Sequence, residues 1–324
     1  MSAINIEKIS KRYGKVNALT EISFEVQKGE VFGLIGPDGA GKTSLFNILA
    51  TLQLPTSGKA TLLGYDVIAD YKKIRKEIGY LPGVFSLYPD LSVYENLRFF
   101  ATMYGSNIKK NIHLIAPIWN QIAPFKDRQA GRLSGGMKQK LALCCALIHK
   151  PNILFLDEPT TGVDPVSRRE FWDLLNNIKK QGIAVLVSTP YMDEATRCDR
   201  IALMKEGRII TINTPTQIIE NYKGKLYSLK SGTIFELLDC MQKCPIKCNY
   251  YPYGQFMHVS FYEEDFNLQH FTDFLKAQGQ AFSELMQIQP TIEDCFIELV
   301  ADFDLKPPST PPPPSSPKTA QIPH

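Results

Sequence analysis

The stretch that decides the fold is Val31–Leu52, VFGLIGPDGAGKTSLFNILATL. It begins with an apolar run typical of a buried strand, turns through Gly36, Gly39 and Gly41, and continues from Lys42 with helical spacing. Strand, glycine-rich loop and helix in this order fit the pattern G-x-x-x-x-G-K-[ST]. Such glycines let successive backbone N–H groups point at a phosphate, and the start of the helix adds positive partial charge. The stretch therefore predicts a phosphate-binding loop.

The loop also supplies side chains for nucleotide chemistry. Lys42 is expected to reach the β- and γ-phosphates as a point charge, and the hydroxyl of Thr43 to bind Mg²⁺. The predicted nucleotide contacts of this loop are Gly36, Pro37, Asp38, Gly39, Ala40, Gly41, Lys42, Thr43 and Ser44.

A second strand ends in acidic residues, in the sequence NILFLDEP. The run 153–156 is apolar enough for a buried strand, so Asp157 is expected at its carboxyl edge, facing Mg²⁺. Glu158 follows, where a carboxylate could accept a proton from a water that attacks the γ-phosphate. Asp and Glu also favour the first turns of helices, but beside a phosphate loop we interpret the pair as catalytic.

A second glycine-containing helix N-terminus is predicted between these elements, in LSGGM. Ser134, Gly135 and Gly136 precede a long amphipathic segment, which predicts another anion site on the same chain. One chain can hardly wrap both sites around a single nucleotide. The economical interpretation is that each nucleotide is held between two chains.

The phosphate loop, LSGGM, ILFLDEP and GVDP, in this order and spacing, resemble the nucleotide-binding domain of an ABC transporter over residues 3 to about 222. The resemblance implies an α/β fold of the P-loop NTPase class, with a mainly parallel core sheet, an antiparallel β subdomain and a helical subdomain. It also implies that ATP and Mg²⁺ are the ligands, with Lys42 and Glu158 catalytic, and Thr43 and Asp157 on the metal.

Further roles follow from the same resemblance. Ser134 to Gly136 match the signature that closes the nucleotide site of a partner chain, and Asp164 matches the D-loop aspartate that links the two sites. Tyr13, in KRYGKVNAL, matches the aromatic residue that stacks on adenine, although it could also be a tyrosine of an edge strand.

Two positions depart from the family pattern. Pro190 stands where a histidine that reads the γ-phosphate usually follows the strand, and Gly83 replaces a glutamine that usually touches Mg²⁺ or water. We expect Pro190 to open a helix in YMDEATRC with Thr189 as its N-cap. Losing one transition-state hydrogen bond typically costs about 10²- to 10³-fold in rate, so slowed hydrolysis is expected.

The chain is expected to comprise an ATP-binding domain at 1–222, a small α+β domain at 223–302 and a disordered proline-rich tail at 303–324. The middle part is similar to the carboxyl-terminal region of ATP-binding subunits of ABC type-2 exporters. The matching residues there are Pro290, Thr291, Glu293, Asp294 and Phe296. Its Cys240, Cys244 and Cys248 suggest either structural thiols or a zinc site, and Pro245 argues against a shared helix face.

The resemblance implies an ATP-hydrolysing subunit that powers export through a separately encoded membrane permease. It would act as a homodimer or heterodimer on the cytoplasmic face of the cell membrane. The chain has no long apolar segment, and its net charge of +3 gives no reason to expect nucleic acid as a partner. The alternatives are a soluble ABC ATPase that regulates ribosomes or DNA, and a low-turnover half of an asymmetric ATPase pair.

Overall fold

The structure, a computed structural model, describes residues 2–263 and 266–304. The predicted tail therefore lies, apart from its first two residues, outside the described residues. Within the described ranges, no helix combines the length and the apolar character that crossing a membrane requires.

A six-stranded sheet forms the centre of the larger unit. Its strands are β3 (Val31–Ile35), β6 (Ile78–Leu81), β7 (Ile153–Asp157), β8 (Ala184–Thr189), β9 (Arg200–Lys205) and β10 (Arg208–Asn213). They lie in the order β10-β9-β3-β8-β7-β6, and all neighbours are parallel except β10, which is antiparallel to β9. Every residue of β3, β7 and β8 is buried, as expected for strands covered on both faces. The predicted mainly parallel core sheet is confirmed.

An antiparallel sheet covers one side of this core. It contains β1 (Ser2–Tyr13), β2 (Val16–Gln27), β4 (Ser57–Leu62) and β5 (Tyr65–Asp66). Between the sheets lies α1 (Lys42–Leu49), whose Phe46 meets Phe155 of β7 edge to face, with ring centroids 5.9 Å apart. The short α2 (Tyr71–Glu77) leads into β6.

The helical part packs on the opposite side. Its helices are α3 (Val93–Met103), α4 (Ile108–Ile122) and α5 (Gly135–Leu147), with short 3₁₀ turns at Ala123–Phe125 and Ala130–Arg132. The helix α3 begins with a capping box, because Ser92 accepts from the Glu95 N–H while the Glu95 carboxylate accepts from the Ser92 N–H. The remaining helices of this unit are α6 (Pro165–Lys179) and α7 (Pro215–Glu220).

The smaller unit has the βαββαβ order of a ferredoxin-like fold. Its elements are β11 (Lys225–Ser231), α8 (Ile234–Met241), β12 (Cys248–Tyr253), β13 (Phe256–Phe261), α9 (Leu268–Ala277) and β14 (Phe282–Gln287). The sheet is antiparallel, in the order β12-β13-β11-β14, which agrees with the expected α+β class.

The last helix, α10 (Ile292–Asp304), connects the two units. Its Ile292 and Cys295 are buried in the hydrophobic core of the larger unit. Asp294, on the same helix, accepts hydrogen bonds from Tyr251 and His258 of the smaller sheet. Burial alone would raise the pKa of Asp294, but the bonds from His258, Thr291 and Tyr251 lower it to about 2.

The three cysteines of interest lie in different elements. Cys240 is in α8, Cys248 starts β12, and Cys244 lies in the connection between them. Within the described ranges, no group of three His, Cys, Asp or Glu side chains could hold a metal ion, and all seven cysteines are free thiols.

One local prediction was wrong. The segment after β8 is not a helix opened by Pro190 but a 3₁₀ helix at Met192–Arg197, whose N-cap residue is Tyr191. The Thr189 hydroxyl accepts from the Tyr191 N–H and donates to the carboxylate of Glu194. Thr189 is therefore fixed by a buried carboxylate and not by capping a helix.

Candidate nucleotide-binding site

The phosphate-loop backbone leaves no room for side chains at two of its glycines. A Cβ on Gly36 would lie 2.3 Å from the Met204 carbonyl oxygen, and one on Gly41 would lie 2.5 Å from the carbonyl oxygen of Ala18. Gly41 also has φ +97°, a conformation that favours glycine, and it is the N-cap residue of α1. The loop is thus held between β2 and β9, with the start of α1 directed at its concave side.

Lys42 is buried at the base of the loop, with 3% of its side chain exposed. Its Nζ donates to the carbonyl oxygens of Gly36 (2.8 Å) and Pro37 (3.1 Å), and it lies 3.3 Å from Oε1 of Glu158. The cation that the sequence assigns to phosphate binding and the carboxylate that it assigns to catalysis are therefore ion-paired.

The end of β7 places its two carboxylates differently. Asp157 is 2% exposed, whereas the Glu158 side chain keeps 24% of its surface exposed. Glu158 has φ +50°, which is uncommon for a residue other than glycine. Because of this turn, the Asp157 side chain is buried while the next side chain, that of Glu158, reaches the surface.

Ser188 holds both carboxylate residues from the neighbouring strand. Its hydroxyl donates to Oδ1 of Asp157 at 2.6 Å and accepts from the Glu158 N–H at 3.0 Å. The serine is opposite Asp157 in the parallel pairing of β7 with β8. Ser188 lies one residue before the end of β8, and the register of the two strands assigns it to Asp157.

A cleft of about 400 Å³ opens beside the loop. Its lining brings together most of the predicted phosphate loop with Glu158 and the start of β2. The lining residues are Val16, Asn17, Ala18, Gly39, Ala40, Gly41, Lys42, Thr43, Ser44, Glu158 and Glu206. Gly36, Pro37, Asp38 and Asp157 support this wall without lining it, and Glu206 was not singled out from the sequence.

The cleft fits a magnesium nucleotide. Thr43 is exposed on its wall, and the first turn of α1 carries no acidic residue that would repel phosphate. Asp157, which lies behind the wall and is bonded to Ser188, carries carboxylate oxygens of the kind that Mg²⁺ prefers and could bind the metal.

Tyr13 pairs with Val16, a residue of the cleft lining, but does not line the cleft itself. It ends β1, is 42% exposed, and donates from its hydroxyl to Oε1 of Gln53. The ammonium group of Lys11 lies 5.0 Å from its ring centroid. The ring is thus fixed at both its hydroxyl and one face.

The signature and the D-loop segment lie against each other, and neither lines the cleft. Ser134 is the N-cap of α5, accepting from Met137 N at 3.4 Å. A Cβ on Gly136 would lie 2.8 Å from Oγ of Ser167 in α6. Asp164 is the N-cap of α6, and its carboxylate accepts a hydrogen bond from the Ser167 N–H. This hydrogen bond lowers the pKa of the Asp164 carboxyl.

The two departures from the family pattern lie at the ends of β7 and β8. A Cβ on Gly83 would be 3.2 Å from the carbonyl oxygen of Asp157, so a longer side chain at this position would enter next to the acidic pair. Pro190 directly follows β8. Among the described residues that line the cleft, none is a histidine.

Buried polar groups that the sequence did not single out surround the end of β8. Glu194 is 4% exposed, and its Oε2 accepts from the hydroxyls of Thr189 (2.6 Å) and Thr160 (3.0 Å). Its Oε1 accepts from Nε of Arg168 at 3.0 Å. The spacing of a threonine and a glutamate five residues apart gives no signal that would identify this contact.

Comparisons with known proteins agree with this geometry. A family model described as "ABC transporter" matches residues 19–161. The "Probable multidrug ABC transporter ATP-binding protein YbhF" of Escherichia coli (strain K12) is 42% identical over 219 residues, which cover 67% of this chain and 38% of the relative. The chain thus spans less than half the length of that relative.

A second relative is similar over nearly its full length. The "Nod factor export ATP-binding protein I" of Rhizobium sp. (strain N33) is 33% identical over 303 residues, 92% of this chain and 96% of the relative. Among solved structures, a dimeric ATP-binding cassette in a post-hydrolysis state, bound to ADP and Pi, has a TM-score of 0.59 at 25% identity. It covers 65% of this chain and 98% of that cassette, so the larger unit has the cassette fold.

Proposed function

Because the chain belongs to the ABC transporter family, as an ATP-binding protein related to exporter subunits, we propose that it binds and hydrolyses ATP to drive export through a separate membrane permease. The observation that carries the proposal is the meeting of Gly39–Ser44 and Glu158 in one cleft, with Lys42 3.3 Å from the Glu158 carboxylate.

The ion pair between Lys42 and Glu158 suggests how nucleotide binding prepares the site. When the phosphates of ATP enter the loop, they offer Lys42 a stronger anionic partner than a single carboxylate. Glu158 is then released to accept a proton from water. The oxygen of that water attacks the γ-phosphorus, and the bond to the β–γ bridging oxygen breaks to leave ADP and phosphate.

Mg²⁺ fits the same site, with Thr43 and Asp157 as the residues that would hold it. The metal would neutralise charge on the β- and γ-phosphate oxygens. Ser188 keeps the Asp157 carboxylate oriented by donating to its Oδ1. The backbone N–H groups of the loop bind the phosphates whether or not the metal is present.

The arrangement of the signature supports a nucleotide-sandwich dimer. Ser134, Gly135 and Gly136 lie beside Gly162 and Ser167 and not in the cleft of their own chain. They would close the cleft of a second chain, with Asp164 at the junction and Tyr13 stacking on adenine. A related cassette has been solved as a dimer with ADP and Pi. The second chain is either another copy or a different ATP-binding subunit.

An apolar surface at the start of the helical part suits a permease segment. Val84, Phe85, Tyr88 and Phe99 are all exposed, and the rings of Tyr88 and Phe99 meet edge to face at 4.8 Å. The segment begins next to Gly83, beside the catalytic strands. Nucleotide-dependent movement there would reach a permease on the cytoplasmic face of the membrane. Residues 223–302 would serve as an accessory domain and 303–324 as a tail.

A second candidate is the low-turnover half of an asymmetric pair, and Pro190 and Gly83 favour it. Such a chain would bind ATP in its own cleft and lend its intact signature to a faster site on its partner. Retention of Glu158 favours the first candidate.

Sedimentation velocity tests the proposal. The Glu158→Gln variant should dimerise when Mg²⁺ and ATP are added and dissociate when ATP is removed. The Lys42→Ala variant should neither bind ATP nor dimerise. A Glu158→Gln chain that binds ATP but stays monomeric would contradict the homodimeric form, and a mixture with a second ATP-binding subunit then tests the asymmetric pair.

A further inference from the structure

The short segment after β8 contains a buried carboxylate with three partners from three parts of the larger unit. Glu194 accepts from Thr189 at the end of β8, from Thr160 two residues after Glu158, and from Arg168 of α6. All three bonds are between 2.6 and 3.0 Å long.

These contacts connect directly to the two walls of the cleft. On one side, the carbonyl oxygen of Thr189 accepts from the N–H of Gly36, the first residue of the phosphate loop, at 3.4 Å. On the other side, Thr160 belongs to the turn that holds Glu158, since the Thr161 N–H donates to the Glu158 carbonyl oxygen at 3.2 Å. Glu194 therefore joins the loop that binds phosphate to the turn that presents the carboxylate.

The surroundings make this joint rigid. Thr160 and Thr189 are 1% and 0% exposed, so bulk water cannot replace Glu194 as the hydrogen-bond partner of their hydroxyls. A buried carboxylate needs its donors, because leaving one unsatisfied costs much of its desolvation free energy. The guanidinium of Arg168 supplies the compensating charge and lies 4.2 Å from the ring centroid of Tyr191.

We propose that Glu194 is a positioning residue for ATP hydrolysis, holding the Glu158 turn at a fixed place relative to the phosphate loop. Pro190 brings no polar side chain to the segment after β8, whereas Glu194 of that segment contacts Thr189 and Thr160. The inference rests on the proposed function, because it needs Glu158 to act on bound ATP. Glu194 itself does not line the cleft.

A positioning role differs from a merely structural one in what its loss changes. Misplacement of a catalytic group by about 1 Å can cost about 10²-fold in rate. The phosphate loop would still bind ATP, because its N–H groups and Lys42 do not depend on Glu194. Loss of Glu194 should therefore lower kcat and leave ATP affinity almost unchanged.

The test measures kcat, ATP affinity and melting temperature for wild type, Glu194→Ala, Glu194→Gln and the isosteric Thr160→Val and Thr189→Val. Asp193→Asn is the matched control, since Asp193 also contacts Arg168 but is 76% exposed and touches neither threonine hydroxyl. We expect kcat to fall about tenfold to hundredfold in Glu194→Ala, by less in Glu194→Gln, and not in Asp193→Asn.

The threonine variants keep the test decisive if Glu194→Ala does not fold. Each should lower kcat at unchanged ATP affinity, and Thr160→Val combined with Thr189→Val should cost less than the product of the single effects, since both act through one carboxylate. Wild-type kcat in Glu194→Ala or in both threonine variants would overturn the proposal, as would a fall in ATP affinity that matches the fall in kcat. Wild type and Glu158→Gln are assayed alongside. Absence of ATP hydrolysis by wild type overturns the proposed function itself, and full activity in Glu158→Gln overturns the role of Glu158 as the base. An inactive Glu158→Gln beside fully active Glu194 and threonine variants overturns the positioning role alone.

Discussion

Replacing Ser188 with alanine should weaken the metal site and the fold together. The serine is fully buried, and its hydroxyl donates to Asp157 and accepts from the Glu158 N–H. That N–H keeps a partner in the Ser188 carbonyl oxygen at 3.1 Å, so the main loss falls on the Asp157 carboxylate. A hydrogen bond to a charged group contributes about 1.5–3 kcal/mol, which for a unit of this size lowers the melting temperature by about 2–4 °C per kcal/mol.

The same change acts on Mg²⁺ through Asp157. Removing the partner of a metal-binding carboxylate typically costs about 10- to 100-fold in metal affinity. We expect Ser188→Ala to need that much more Mg²⁺ for half-maximal ATP hydrolysis. Titration of Mg²⁺ at fixed ATP, with melting curves on the same samples, measures both effects.

A matched control is Ser260→Ala in β13 of the smaller unit. It removes another buried serine hydroxyl, which is hydrogen-bonded to the neutral hydroxyl of Tyr222. It should cost about 1 kcal/mol and leave the Mg²⁺ dependence as in wild type. If Ser188→Ala shows wild-type Mg²⁺ dependence and melting temperature, the reasoning about Asp157 is refuted.

Three further predictions concern single positions. Pro190→His should raise kcat by up to about 10²-fold, measured by phosphate release; an unchanged kcat would mean that the histidine is not what limits the rate. Gly83→Gln should lower the Mg²⁺ concentration for half-maximal ATP hydrolysis by less than about tenfold, since water can already take the place of the glutamine side chain. The new Cβ would lie 3.2 Å from the Asp157 carbonyl oxygen, so that carbonyl must shift by a few tenths of an ångström. Asp294→Asn should lower the melting temperature at pH 7: the folded pKa of about 2 is depressed below the usual 3.8, so the carboxylate stabilises the fold above pH 3.8 and the difference from wild type should shrink between pH 3.8 and pH 2. A pH-independent difference would contradict that last account.

The phosphate loop could be predicted from the sequence because its signals are local. Gly36 and Gly41 have the spacing of the pattern G-x-x-x-x-G-K-[ST], and α1 begins at Lys42 as expected. The apolar run before Asp157 likewise predicts β7, which ends at that residue. These features depend on residues within about ten positions of each other.

The features that the sequence missed depend on contacts between distant segments. Ser188 donates a hydrogen bond to Asp157 because the register of β7 and β8 places the two residues opposite each other. The residue pattern along one strand does not predict that register. The segment after Pro190 was predicted as a capped helix because Thr189 and Pro190 are typical of helix starts. The buried carboxylate of Glu194 takes the Thr189 hydroxyl instead, and tertiary contact overrides local preference.

The packing of α10, the helix that connects the two units, also depends on contacts between distant segments. The sequence predicted a boundary near residue 222, but α10, far beyond it, buries Ile292 and Cys295 in the core of the larger unit. Its own amphipathic pattern indicates a buried face without telling which unit covers it.

The measurement that tests the central claim most directly is steady-state ATP hydrolysis by the purified chain and by its Glu158→Gln variant, each with saturating Mg²⁺ and ATP. The account predicts slow but measurable phosphate release by wild type and release at background level by Glu158→Gln, with ATP still bound. Equal rates in the two proteins would contradict the assignment of Glu158 as the catalytic base.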